Sequence, residues 1–477
     1  MAYSEKDIVA RLEKIVGSGF VLTKENELQK YGSDQSFVAP CNPICAALPR
    51  SLEEVHQIVL MANELSVPVI PYSSGTSLQG AHIPARPGIT VDLSRMNKIH
   101  AIDPVSRNAI IEPGVTFAEL QKEAKKQGLR VLTPIGIPAH ASVVATYAEF
   151  TPLYSWPKYG PWETLTVELV LPTGDIMGTG QMAIKRAEHP YTWSTPFTVV
   201  NRMFFGAQGT LGIITKAAIT LKTLYEVNRV FFVEFDDVTA LAEAARKFLH
   251  SEVTEEMFAV NAHYLAAHLA KTFPDEFAAI KSKAAPWTLV MLARGYEEEV
   301  EMKTLDLQDA AAALNVTLKK ETAGIPDAAA RILQEIACPR GSSQHNRYKR
   351  AWNPIFCFTT KGNLSPFITR IADLAKKYNY AAADVGYFIM PLNHGGTFYF
   401  EPGFYRNPQD KAESDSVKKL FIATSEELID RGAFFDRPYP LWAEKVYARA
   451  ATYHDKIKEL KAAVDPKNIM HPGRLAL

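Results

Sequence analysis

The sequence predicts an α+β fold of mixed sheets and helices, and three observations carry that prediction. Apolar runs at 44–48 and 67–70 flank a stretch in which Leu52, Val55, Ile58, Val59 and Ala62 recur at helical spacing, which reads as a β–α–β unit. Residues 165–171 alternate apolar and polar side chains and run into the turn Pro172-Thr173-Gly174-Asp175, a hairpin signal. Beyond Leu221, strand and helix patterns alternate and end in two aromatic strands, at 386–392 and 396–401. That succession suggests a sheet with helices on one face.

In chain order, residues 5–16 form an amphipathic helix with Ile8, Leu12, Ile15 and Val16 on its apolar side. Ser51 caps the helix of the β–α–β unit, with Glu54 at the capping-box position. The strand at 67–70 feeds Pro71-Tyr72-Ser73-Ser74-Gly75-Thr76-Ser77-Leu78-Gln79-Gly80, and 89–93 is the next strand. Residues 109–115 are a strand and turn. Thr116 and Glu119 cap a helix over 116–127 that Gly128 ends. Three prolines and Tyr154, Trp156 and Tyr159 make 151–161 a rigid aromatic loop, with Trp162 beside it. Further strands fall at 230–235 and 287–293, and helices at 238–250, 297–314, 327–336 and 441–463. The character of the chain changes around 222–228, the nearest thing to a domain boundary.

The length of 477 residues suits two or three domains of roughly 100–200 residues each. Basic and acidic residues balance, 52 against 52, which leaves no electrostatic footprint for nucleic acid or an anionic membrane. No apolar run approaches the roughly 20 residues of a membrane span, and the polar start Met1–Asp7 lacks a secretory signal. Cys41, Cys45, Cys338 and Cys357 are few for this length and form no Cys-x-x-Cys pair. The expectation is a reducing, cytoplasmic setting, buried thiols and no metal centre.

The segment 71–80 carries most of the functional information. Small residues and hydroxyls after an apolar strand leave several backbone N–H groups open to an anion such as a phosphate. No Lys closes the loop, so it is not a P-loop, and no Gly-x-Gly-x-x-Gly opens a helix, so it is not an ordinary dinucleotide site. A second witness is Phe205-Gly206-Ala207-Gln208-Gly209-Thr210-Leu211-Gly212-Ile213-Ile214-Thr215, where glycines recur every three residues before a strand. Such spacing lets backbone lie against a planar ligand.

With Val91-Asp92-Leu93-Ser94-Arg95-Met96, Ile111-Glu112-Pro113-Gly114-Val115 and the tail Asp465-Pro466-Lys467-Asn468-Ile469-Met470-His471-Pro472-Gly473, these pieces stand in one order. In that order the chain resembles the FAD flavoproteins of the vanillyl-alcohol oxidase and p-cresol methylhydroxylase type, including D-lactate and glycolate dehydrogenases. The resemblance implies a two-subdomain FAD-binding domain over 1–222, to which 441–477 returns, and an α+β cap domain with an antiparallel sheet over 223–440. It implies that Pro71, Ser73, Ser74, Gly75, Thr76, Ser77 and Gly80 wrap the FAD pyrophosphate, and that Ser142 and Val143 approach the ribityl chain and ring. Gly209, Thr210, Gly212, Ile213 and Ile214 would hold the adenine side and the flavin. His471 and Arg474 would reach the pyrimidine edge, where a cation stabilises the reduced, anionic flavin. Two departures stand out. Ser142-Val143-Val144-Ala145 replaces the common Thr-Ile-Gly-Gly. Thr76 stands where relatives with a loop-side covalent link carry His, so the FAD is expected to be non-covalent, with a cap-side link through His394 or Tyr399 as the alternative.

Dehydrogenation by a flavin needs a base near the substrate hydroxyl and a cation for an anionic end. The run Asn393-His394-Gly395-Gly396-Thr397-Phe398-Tyr399-Phe400-Glu401 and on to Arg406 offers both, and strand alternation puts Thr397, Tyr399 and Glu401 on one face. His394 is the expected base, with Tyr399 and Arg406 orienting substrate. The resemblance implies that the chain returns to the flavin near Arg437, Tyr439 and Trp442, and the cationic run 340–350 is expected to be a solvated loop. The expected activity is FAD-dependent hydride removal from a small hydroxylated substrate, such as a 2-hydroxy acid. The alternatives are oxidation of a phenolic alcohol or alkylphenol, or service as the flavin-bearing electron-transfer subunit of a larger complex. Relatives acting on hydroxy acids carry His-x-Gly-Asp-Gly-Asn-x-His in the cap, and only Asn393-His394-Gly395-Gly396 matches it here. The expected partners are a small-molecule substrate, an electron-accepting protein subunit and further subunits of a homo- or hetero-oligomer.

Overall fold

The computed structural model describes residues 4–134, 136–161, 163–184, 199–337 and 345–477. Trp162, Cys338 and residues 340–344 of the cationic run lie outside the described residues.

The chain is α+β and builds three main sheets. The first has four strands in the order Val21–Leu22, Cys45–Ala47, Ile89–Asp92, Val69–Tyr72. Its last three strands are parallel, and helix Leu52–Leu65 connects two of them. That helix buries Val55, Ile58, Val59 and Ala62, and helix Glu5–Val16 adds Ile8 and Leu12 to the same core. Ser51 Oγ accepts from Glu54 N–H as a cap should, but the Glu54 carboxylate turns to Arg50 N–H instead of closing a box.

The second sheet is antiparallel: Ile99–Asp103, Asn108–Ile111, Ile213–Thr220, Thr164–Val170, Ile176–Gly178. The hairpin expected around Pro172–Asp175 joins its last two strands. Both halves of the Thr116/Glu119 capping box are present, and the helix they start runs Phe117–Lys125.

The third sheet is also antiparallel, in the order Val227–Phe235, Trp287–Gly295, Glu256–Asn261, Gly386–Leu392, Thr397–Arg406, Ala351–Pro354, and Cys357–Thr360 also pairs with Thr397–Arg406. Along Thr397–Arg406 the side chains alternate. Phe400 meets Phe367 of helix Lys361–Lys377, while Tyr399 and Glu401 face a cavity. The segment expected as one helix over 441–463 is two, Ala443–Ala448 and Ala451–Val464.

The C-terminal tail returns to the first sheet. Met470 bridges Val69 in parallel, and His471 N–H donates to Val69 O at 2.8 Å. Among the described residues no helix is long and apolar enough to cross a membrane.

Candidate active site

Strand Val69–Tyr72, the tail and the loop before Ile213–Thr220 surround one end of a cavity of about 820 Å³, and the third sheet closes the other end. Its walls include Pro71, Ser73, Ser74, Gly75, Thr76, Ser77, Gly209, Gly212, Ile213 and Ile214. The remaining residues expected at the cofactor stand just behind the wall. Gly80 N–H donates to Asp34 Oδ2 at 2.7 Å, and Ser142 N–H donates to Ser74 Oγ at 3.0 Å. Val143 is buried beneath its neighbours Val144 and Ala145, which do line the cavity. Thr210 turns its hydroxyl to Ala207 O, and Arg474 Nε donates to Ala81 O.

The loop is built to receive an anion through its backbone. Among the described residues, the N–H groups of Ser74 to Leu78 donate to no protein acceptor. Gly75 has φ +64°, and a Cβ there would lie 2.1 Å from Tyr72 Oη. Tyr72 is itself fixed edge-on between Tyr31 and His82, and Tyr31 Oη donates to Asp92 Oδ2 at 2.6 Å. On the opposite wall Gly209 has φ +73°, and a Cβ would lie 2.9 Å from Pro71 Cγ. Lys461 ties this loop to the tail. Its Nζ donates to Thr210 O and Met470 O, each at 2.7 Å, and pairs with the buried Asp465 carboxylate.

Buried polar atoms without protein partners point the same way. His471 Nδ1 lies 2.7 Å from Gln208 O, and a carbonyl only accepts, so Nδ1 carries the hydrogen. Burial, helped by nearby Arg474, pushes the His471 pKa well down, so the ring is neutral and Nε2 is a bare acceptor. Both His471 Nε2 and Gln208 Oε1 lack a protein donor although both residues line the cavity. A small-residue anion cradle, glycine-flattened walls and acceptors awaiting N–H donors fit FAD, whose pyrophosphate the loop would hold and whose heterocyclic N–H groups the acceptors would meet.

At the far end the walls are Tyr264, Trp352, Phe356, Tyr399, Glu401, Arg437 and Tyr439, with Glu149 from the end of helix Val143–Ala148. Tyr399 Oη donates to Glu401 Oε2 at 2.5 Å. Burial raises the Glu401 pKa to about 7, against the opposing pull of Tyr399 and Arg437. The Arg437 guanidinium stacks on the Phe356 ring at 3.9 Å, lies 3.3 Å from Asp436 Oδ2 and has Tyr399 beside it. Tyr439 Oη donates to Glu149 Oε2 at 3.1 Å, and burial raises the Glu149 pKa while Tyr439 and Arg437 lower it.

Two residues expected in the chemistry lie elsewhere. His394 sits at the tip of the turn joining Gly386–Leu392 to Thr397–Arg406, exposed beside His250 and outside the cavity. A turn continues past the end of the sheet and so carries its side chain away from the face that Tyr399 and Glu401 share. Arg406 is buried but fully engaged with Asn353 Oδ1, Gln35 O and Ser414 Oγ. Trp442 is core: it packs on Phe421 and Phe435 and donates to Ser425 Oγ. Glu149 carries no sequence signal, being a lone carboxylate after an apolar run.

Comparison with known proteins points to the same cofactor. Residues 43–180 match an FAD binding domain family. The glycolate oxidase subunit GlcD of Bacillus subtilis (strain 168) is 23% identical over 446 residues, 91% of this chain and 89% of that protein. The mitochondrial D-lactate dehydrogenase [cytochrome] of Arabidopsis thaliana is 29% identical over 244 residues, 50% of this chain and 41% of that protein. In fold, the chain is similar to p-cresol methylhydroxylase with substrate bound, with TM-score 0.84, 20% identity and coverage of 99% of this chain and 96% of that one.

Proposed function

We propose that this chain, an FAD-dependent oxidoreductase similar to the p-cresol methylhydroxylase type flavoproteins, oxidises a small hydroxylated aromatic, a phenolic alcohol or alkylphenol. Residues 223–440 serve as the cap over the cofactor, and the FAD is held without a covalent bond. The observation that carries this reading is the chamber at the far end of the cavity. There a stacked arginine and a carboxylate with pKa about 7 share walls with Tyr264, Trp352 and Phe356.

The bound FAD supplies the hydride acceptor. Arg437 holds the substrate oxygen and favours its ionised form. Glu401 takes the hydroxyl proton, a role suited to a base with a pKa near the working pH. The aromatic walls exclude water and stack on a ring. Charge separates the substrate classes. Asp436 already balances Arg437, and Glu149 and Glu401 stand close by. A substrate carboxylate would add a further negative charge without a counter-ion, whereas a hydroxyl enters neutral.

A second reading, a 2-hydroxy acid, is favoured by the glycolate oxidase subunit that aligns over 91% of this chain. Its name as a subunit also suits a protein as electron acceptor. Anaerobic mixing separates the two. A 4-alkylphenol or phenolic alcohol should bleach the flavin's visible absorbance, while glycolate and D-lactate should not. Bleaching by the hydroxy acids alone would overturn the aromatic reading.

A further inference from the structure

We propose that Glu149 is a positioning residue that makes the chamber select a hydroxyl over a carboxylate. The inference rests on the aromatic-hydroxyl reading and concerns how that group is recognised. Glu149 accepts the Tyr439 hydrogen at 3.1 Å, and Glu401 accepts the Tyr399 hydrogen at 2.5 Å. Each tyrosine has one hydrogen, and an ionised carboxylate only accepts. With that hydrogen engaged, each phenolic oxygen has only lone pairs left for the chamber. Beside them stands Arg437, a pure donor whose guanidinium reaches toward Tyr399. Arg437 therefore stands as a donor beside two acceptors, with the Tyr264 hydroxyl also in the wall.

A hydroxyl fits that pattern, because it accepts from Arg437 and donates to a tyrosine oxygen. A carboxylate satisfies Arg437 with one oxygen and turns the other toward lone pairs and the Glu149 charge. Sites built to hydrogen-bond a hydroxyl reject ligands lacking it by factors that reach about 10⁴–10⁵. Glu149 comes from the half that carries the cofactor loops, and Tyr439 from the segment between the third sheet and the final helices. The contact thus sets the tyrosine's orientation across the cavity.

Phenol and benzoate test this as unreactive ligands, titrated into the oxidised holoenzyme while the flavin's visible band is followed. The native protein should bind phenol at least about tenfold tighter than benzoate. Glu149→Leu should reduce that ratio by about tenfold or more, mainly by tightening benzoate, because the charge is gone and Tyr439 is free to turn its hydrogen inward. Glu149→Gln, whose amide oxygen still accepts from Tyr439, should reduce it less, by removing the charge alone. Glu149→Asp should keep most of the preference. An unchanged ratio, or an equal loss of both affinities, overturns the role of Glu149. If phenolic substrates still bleach the native flavin, that failure leaves the proposed function standing. A native protein that phenol does not perturb and that no phenolic reduces overturns both.

Discussion

At the scale of single residues, the chemistry separates side chains that look alike in sequence. His394 and Glu401 lie seven positions apart in one aromatic run, and histidine is the more familiar base. The fold reverses that expectation: His394 is exposed at a turn tip, and Glu401 is 8% exposed against the cavity. His394→Ala should therefore leave flavin reduction within about twofold of native, since surface changes away from a site are nearly neutral. A hundredfold loss in stopped-flow reduction would return His394 to the mechanism. Tyr399 and Glu401 were legible as candidates because polar groups are unusually dense for their aromatic strand, and Arg437 and Tyr439 because of where the family resemblance places them; all four line the cavity. Glu149 was not, because its meaning comes from Tyr439, 290 positions away.

At the scale of elements, the most readable pieces were those whose backbone must approach a ligand. A phosphate cradle tolerates only small residues, so 73–80 and 206–212 announce themselves by composition. Helices Lys361–Lys377 and Lys411–Asp430 left no comparable mark. Gly362 and Pro366 punctuate the first, and charged residues crowd the start of the second. Helix Ala451–Val464 was legible as a helix but not as a clasp. Lys461 is 4% exposed, holds two carbonyls and neutralises Asp465, which also receives Ile469 N–H and Met470 N–H. Lys461→Met should cost about 3–5 kcal/mol, because it leaves a buried carboxylate without its counter-ion. Urea unfolding monitored by flavin release would show it, and an unshifted midpoint would refute the clasp.

At the scale of the whole molecule, neither end of the cavity supplies all the residues of the proposed site. Gly75 and Gly209 come from the loops of the first two sheets, Glu401 from the third, and Arg437 from the segment leading to the final helices. Polar stitches hold these parts together across the cavity. Gln79 Nε2 donates to Pro354 O at 2.7 Å, and Gln208 Nε2 donates to Pro438 O at 3.4 Å. Away from the site, a buried group of Arg130, Glu256 and Arg294 fastens strand Leu129–Arg130 to the third sheet. Alternation within a strand predicts which of its side chains share a face, but not which distant loop that face will meet. In the proposed reaction Glu401 takes the substrate proton as the cofactor is reduced. Glu401 acts as a base only when ionised, and burial raises its pKa to about 7, so native reduction should speed up as pH rises through about 7 and then level off. The most direct test is anaerobic stopped-flow reduction by a 4-alkylphenol, from pH 5.5 to 9, in the native protein and in Glu401→Gln. The variant should keep its flavin spectrum, be reduced about 10²–10⁴ times more slowly and lose the rise near pH 7. A variant that is reduced at the native rate with the native pH profile would contradict it.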